Sequence, residues 1–163
     1  MLRTRRWNAL GNATLIAKAL LDSNVIIAAV AEIHEYHGPS AALFAGEPAL
    51  RFAVAAHSYA EAYSTLTRRG DHAPFRFKAE EAWAALERIA ALTDLIGLTP
   101  AQAFASIRAY AQSGGIGARL YDRLVGEAAI VHDLPNIITW NVRHMRSLFP
   151  SLEDVTPNEL VRT

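Results

Sequence analysis

With 163 residues, 52% of them hydrophobic, the chain is long enough to bury one sizeable core and too short to suggest two. Sixteen basic and sixteen acidic side chains cancel, so no net field draws the protein to nucleic acid or an acidic membrane, and a polyanion must be met locally. The absence of cysteine excludes disulfides, thiolate zinc sites and cysteine nucleophiles, and it fits a reducing cytoplasm.

Residues 1–17 read as a loosely ordered extension. Their "MLRTRR" start mimics the basic end of an export signal, but Lys18, Asp22 and Asn24 interrupt the apolar stretch behind it. No later run approaches the eighteen apolar residues of a membrane span, so no membrane segment is expected. From residue 18 onward the chain reads as one domain. "ALLDSNVIIAAV" is a short buried strand, Ala19 to Leu21, a polar turn, and a helix carrying Val25 to Val30. Gly38 and Pro39 are expected to break the chain, with a second short helix, "SAALFA", from Ser40. "RFAVAA" at 51–56 is a strand, and the helix "HSYAEAYSTLTRR" follows, with Tyr59, Ala62, Tyr63 and Leu66 at helical spacing.

After a loop from Gly70 to Pro74, "KAEEAWAALERIAAL" is an amphipathic helix and "LTDLIGL" a strand. "TPAQ" at 99–102 opens a helix that runs to Gln112, because Thr caps, Pro suits the first helical position and Gln closes the capping box. Gly114, Gly115 and Gly117 form a joint, and Leu120, Leu124, Ala128 and Val131 mark the next helix. "NIITW" is a strand and "VRHMRSLF" a short helix, and "TPNE" at 156–159 repeats the capping box. Strands alternating with helices predict an α/β fold with a mainly parallel central sheet flanked by helices.

In such sheets polar function collects beyond the carboxyl ends of the strands. Asp22 stands directly after the first strand, Asn141 directly after "NIITW", and Glu61 one turn into the helix behind "RFAVAA". Asp122 lies in the first turn of a helix that runs back over the "NIITW" strand, so all four side chains can reach one cleft. Each has a plainer reading beside this one. Asp22 can cap a helix, Glu61 can close an S-x-x-E capping box with Ser58, Asp122 can be a solvated first-turn acid, and Asn141 can end a strand. "HEYH" at 34–37 is not H-E-x-x-H, and it adjoins a Gly-Pro turn rather than a helix.

Four segments in order carry a resemblance: "LLDSNVII", Glu61 in "HSYAEAYSTLTR", Asp122 in "GARLYDRLVGEAA", and "TWN" at Thr139 to Asn141. From about Ala19 to the C-terminus the sequence resembles the PIN-domain ribonucleases, most closely the VapC-type toxins of toxin-antitoxin pairs. The resemblance implies a cytoplasmic endoribonuclease dependent on Mg2+ or Mn2+. Asp22, Glu61 and Asp122 would hold the metal, Asn141 would complete the catalytic set, and Ser23, Asn24 and Thr139 would orient it.

It also implies an RNA substrate, a homodimer and an antitoxin clamped by the helices from Tyr59 to Ala91. Three converging carboxylates agree with a hard cation, since two such charges about 4 Å apart repel by roughly 4 kcal/mol at an effective dielectric near 20. Of the sixteen basic residues fourteen are Arg, the better fork for phosphate, although a compositional bias explains them equally well. Arg68, Arg119 and Arg143 are the candidates for RNA contact. A catalytically inactive PIN-fold module that binds RNA or protein is the alternative. A phosphoryl-transfer domain of receiver or haloacid type is excluded, because Asn24 stands where a second acid is needed and no Lys follows "NIIT".

Overall fold

The computed structural model describes residues 19–45 and 51–161, so the expected extension at 1–17 lies outside the described residues. Five strands, β1 (Ala19–Leu21), β2 (Phe52–Ala55), β3 (Thr93–Ile96), β4 (Asn136–Ile138) and β5 (Glu153–Val155), form one sheet in the order β3-β2-β1-β4-β5. Every pairing is parallel. The helices are α1 (Ser23–Val30), α2 (His37–Ala42), α3 (Ala56–Thr67), α4 (Ala79–Ala90), α5 (Pro100–Gln112), α6 (Arg119–Val131), α7 (Val142–Leu148) and α8 (Pro157–Val161). The expected α/β class with a parallel central sheet is what the chain forms.

Successive strand residues point to opposite faces, and this alternation divides the core in two. Leu21, Val54 and Ile138 pack under α1, α3 and α4 with Val25, Ile26, Leu66 and Leu86. Leu20, Ala53 and Ile137 pack under α6 and α7 with Val125, Ala128, Met145 and Phe149. Each fully buried Leu or Ile contributes about 1.5–3 kcal/mol, so the short central strands are held by both faces at once.

Several local expectations shift. α2 begins at His37 and takes Gly38 and Pro39 into its first turn, where a missing amide costs nothing because that amide would have no helical partner. β5 was not expected: "SLEDVTP" has no apolar run, and the strand exists because β4 pairs with it from Asn136 against Glu153 to Ile138 against Val155. "NIITW" is a strand only to Ile138, which leaves Thr139 to Asn141 free to form a polar turn. On α6 the buried residues are Val125, Gly126, Ala128 and Ala129, while Val131 is exposed. Gly126 makes room on α6 for the ring of Phe149, which a Cβ there would strike.

The capping box at Thr99–Gln102 forms as expected, while at Thr156–Glu159 only half of it does: Glu159 Oε2 accepts from the Thr156 amide and hydroxyl, and the Glu159 amide turns to the Thr156 carbonyl. The one proposed at Ser58–Glu61 does not form. α3 starts at Ala56, and the hydroxyl of Ser58 is buried without a hydrogen-bond partner. Glu61 is thereby freed from a capping role.

Candidate metal and nucleic-acid site at the carboxyl edge

The order of strands reverses at β1, which has β2 on one side and β4 on the other, and ligands in open α/β sheets bind at such a switch point. The register sets the first contacts there. Leu21 opposes Ile138, so Asp22 and Thr139 leave the sheet side by side, and the Asp22 amide donates to the Ile138 carbonyl at 3.0 Å.

Asp22 is 3% exposed and caps α1. Its Oδ1 accepts from the Ser23 amide at 2.7 Å, and its Oδ2 accepts from Thr139 Oγ1 at 2.7 Å and Asn24 Nδ2 at 2.8 Å. Thr139 Oγ1 also accepts from Asn24 Nδ2 and from the Asn141 amide, each at 3.0 Å. Asn24 Oδ1 accepts from the Trp140 amide at 3.1 Å. Ser23, Asn24 and Thr139 thus all donate to the Asp22 carboxylate. Asp22 is therefore more than a cap, which by itself needs neither Thr139 nor Asn24.

Burial pushes the Asp22 carboxyl up to about 6; the Thr139 hydrogen bond opposes this, and the charges of Asp122 and then Glu61 push it further. Those two charges act on Asp22 from α6 and α3. Asp122 is also raised by burial, while His144 and then Arg119 pull it down. His144 Nε2 stands 2.8 Å from Asp122 Oδ2, and His57 Nε2 stands 4.0 Å from Glu61 Oε1. The His57 ring stacks on Tyr121, one residue before Asp122.

Three carboxylates are the oxygen donors that a hard divalent ion takes, and in this respect the residues fit one. As oriented, they do not close around it: among the described residues no three His, Asp or Glu side chains stand close enough to share an ion. Asn141 is exposed, and its backbone amide ties it to the cluster through Thr139. The histidines of "HEYH" serve the loop. His34 Nδ1 accepts from the Tyr36 amide, His37 Nδ1 pairs with the Ala28 carbonyl, and Tyr36 stacks on Trp140 with ring centres 4.1 Å apart.

The sequence profile of the PIN domain matches residues 19–146. This chain belongs to the PIN-domain family. Its fold is similar to VapC20 of Mycobacterium tuberculosis, described as a sarcin-ricin loop cleaving toxin, with TM-score 0.62 at 14% identity over 79% of this chain and 94% of that one. It is also similar to VapBC2 of Rickettsia felis bound to a DNA fragment from its promoter, with TM-score 0.59 at 17% identity over 85% and 97% of the two chains. VapBC-1 of nontypeable Haemophilus influenzae gives TM-score 0.58 at 16% identity over 86% and 98%. At such identities the likeness shows the fold alone. No curated protein sequence matches the chain.

Around the PIN cleft the arginines divide by position. Arg119 opens α6 and Arg143 lies in the first turn of α7, both at the carboxyl edge and both exposed. Arg68 caps the far end of α3, about 18 Å along a 12-residue helix from its start, so it stands toward the opposite edge of the sheet. Arg69 beside it is spent on the carbonyls of Thr67 and Phe77. Away from the cleft, the PIN domain has an apolar groove of about 630 Å3 between α3, α4 and β3. Tyr59, Tyr63, Trp83, Leu86 and Leu95 line it, and none of the three acids does. Among the described residues no helix is long and apolar enough to cross a membrane.

Proposed function

We propose that this PIN domain is a Mg2+- or Mn2+-dependent endoribonuclease that acts in the cytoplasm as the toxin of a toxin-antitoxin pair. The observation that supports the reading above others is Asp22. It is a nearly fully buried carboxylate at the switch point of the sheet, held by four donors, with Asp122 and Glu61 adding negative potential to it. A fold that gathers unlike elements to repel one another needs a compensating positive charge.

Asp22, Glu61 and Asp122 would hold the divalent ion, with Asn141 beside them. When bound, the ion supplies Lewis-acid chemistry, acidifying water and offsetting charge that builds on the phosphodiester oxygens. Ser23, Asn24 and Thr139 keep the Asp22 carboxylate oriented in its ionised form, because all of them donate to it. Arg119 and Arg143 meet RNA phosphates at the rim, and Arg68 reaches only a longer strand.

The α3–α4 groove receives the antitoxin in this reading. Trp83 at 60% exposure and Leu95 at 68% leave more apolar surface open there than an isolated domain gains by exposing. The protein works as a homodimer. A second reading, a PIN-fold binding module without activity, draws on the open arrangement of the acids among the described residues. Incubating purified protein with structured RNAs in Mn2+ and in chelator separates the two. Cleavage in Mn2+ alone, lost in Asp22→Asn, supports the nuclease; RNA binding with no cleavage under any metal supports the module.

A further inference from the structure

We propose that His144 is a positioning residue for divalent-ion binding: its Nε2, 2.8 Å from Oδ2 of Asp122, holds that carboxylate in one orientation. The inference rests on the metal-dependent reading above. His144 is held on both sides. Its side chain is 15% exposed, and its Nε2 lies 2.8 Å from Asp122 Oδ2, so the ring nitrogen facing the carboxylate carries the proton.

The backbone beneath it belongs to the turn that also serves Asp22. The Asn141 amide donates to Thr139 Oγ1, which donates to Asp22, and the His144 and Met145 amides both donate to the Asn141 carbonyl at 3.1 Å. Met145, 1% exposed, pins that turn of α7 into the core. Asp22 and Asp122 come from helices on opposite faces of the sheet, yet one continuous frame of Thr139, Asn141 and His144 sets both carboxylates. Without His144 the Asp122 side chain, 29% exposed at the start of α6, has rotamer freedom that an ion would have to remove on binding. Glu61 lacks an equivalent: at 4.0 Å, His57 is beyond hydrogen-bond reach.

Partners that orient metal ligands typically contribute about 10–100-fold in affinity. The test is Mn2+ binding to the full chain, read as free Mn2+ by electron paramagnetic resonance, for wild type, His144→Ala, His144→Leu and His144→Gln, with His132→Ala as control. His132 contacts the Gly97 carbonyl, away from the acids. His144→Ala and His144→Leu are expected to weaken Mn2+ binding by about 10–100-fold. His144→Gln, whose amide can donate to the same oxygen, should recover most of the loss, and His132→Ala should match wild type.

Two non-donor variants are included so that at least one folded protein, verified by circular dichroism, reports the result. If wild type binds Mn2+ and the folded non-donor variants bind it equally or more tightly, the positioning role is wrong while the metal reading stands. If wild type binds no Mn2+, the metal reading and this inference fall together.

Discussion

Replacing Asp22 with Asn in the metal-free protein should flatten the dependence of stability on pH. Burial lifts the Asp22 carboxyl from 3.8 to about 6, so the folded state holds its proton more tightly than the unfolded state does. The stability this contributes is fully present below pH 3.8 and is lost as pH rises through about 6. A rise of about two units corresponds to roughly 3 kcal/mol of penalty for the ionised folded protein above pH 7. Asp22→Asn removes that penalty. It also turns an amide nitrogen toward Asn24 Nδ2, which now donates to Oδ2 at 2.8 Å, and an unmade buried hydrogen bond costs about 1–3 kcal/mol. The two effects leave the variant within about 2 kcal/mol of wild type at pH 8, with a curve between pH 4 and 7 flatter by up to about 3 kcal/mol. Urea unfolding in chelator from pH 4 to 8 measures both. Asp154→Asn serves as a comparison background, because burial lifts Asp154 to about 6 as well. Parallel curves for wild type and Asp22→Asn would refute the burial argument.

Thr139→Val keeps the volume but removes the hydroxyl that bonds Asp22, Asn24 and the Asn141 amide; it should lower stability by about 1–3 kcal/mol in urea and weaken Mn2+ binding about tenfold or more. Unchanged Mn2+ affinity would show that Thr139 only closes the strand. Gly126→Ala drives a methyl into the ring of Phe149, which is 4% exposed and lies under Arg123, so thermal unfolding should register about 1–3 kcal/mol of overpacking. A variant as stable as wild type would mean that α6 and α7 separate freely. Trp83→Ala, at an exposed position, should leave unfolding within about 0.5 kcal/mol and RNA cleavage intact while abolishing pull-down of the co-expressed antitoxin. Undiminished pull-down would move the antitoxin to another face.

The class of fold was legible because its signals are local. "LLDSNVII" carries strand, cap and helix within a dozen residues, and the Thr99 capping box needs only four. What was illegible depends on pairing at a distance. β5 is created by β4, since Glu153 and Asp154 show no strand pattern of their own. Nothing local shows that the space at Gly126 is taken by Phe149, 23 positions later. Ser23, Asn24 and Thr139 lie in the same short motifs as Asp22 and Asn141, and all three bond Asp22. The Ser58–Glu61 box failed because α3 starts directly at Ala56 and turns Ser58 inward. His144 could be counted among basic groups near the cleft, yet its bond to Asp122 follows only from how α7 packs beside α6.

The central claim is that Asp22, Glu61 and Asp122 converge on one divalent ion. Calorimetric titration of Mn2+ into metal-free wild type, Asp22→Asn, Glu61→Gln and Asp122→Asn tests it most directly. The account predicts saturable binding by wild type and at least tenfold weaker binding by each of the three variants, all of them folded. Three variants that bind Mn2+ as wild type does would contradict it.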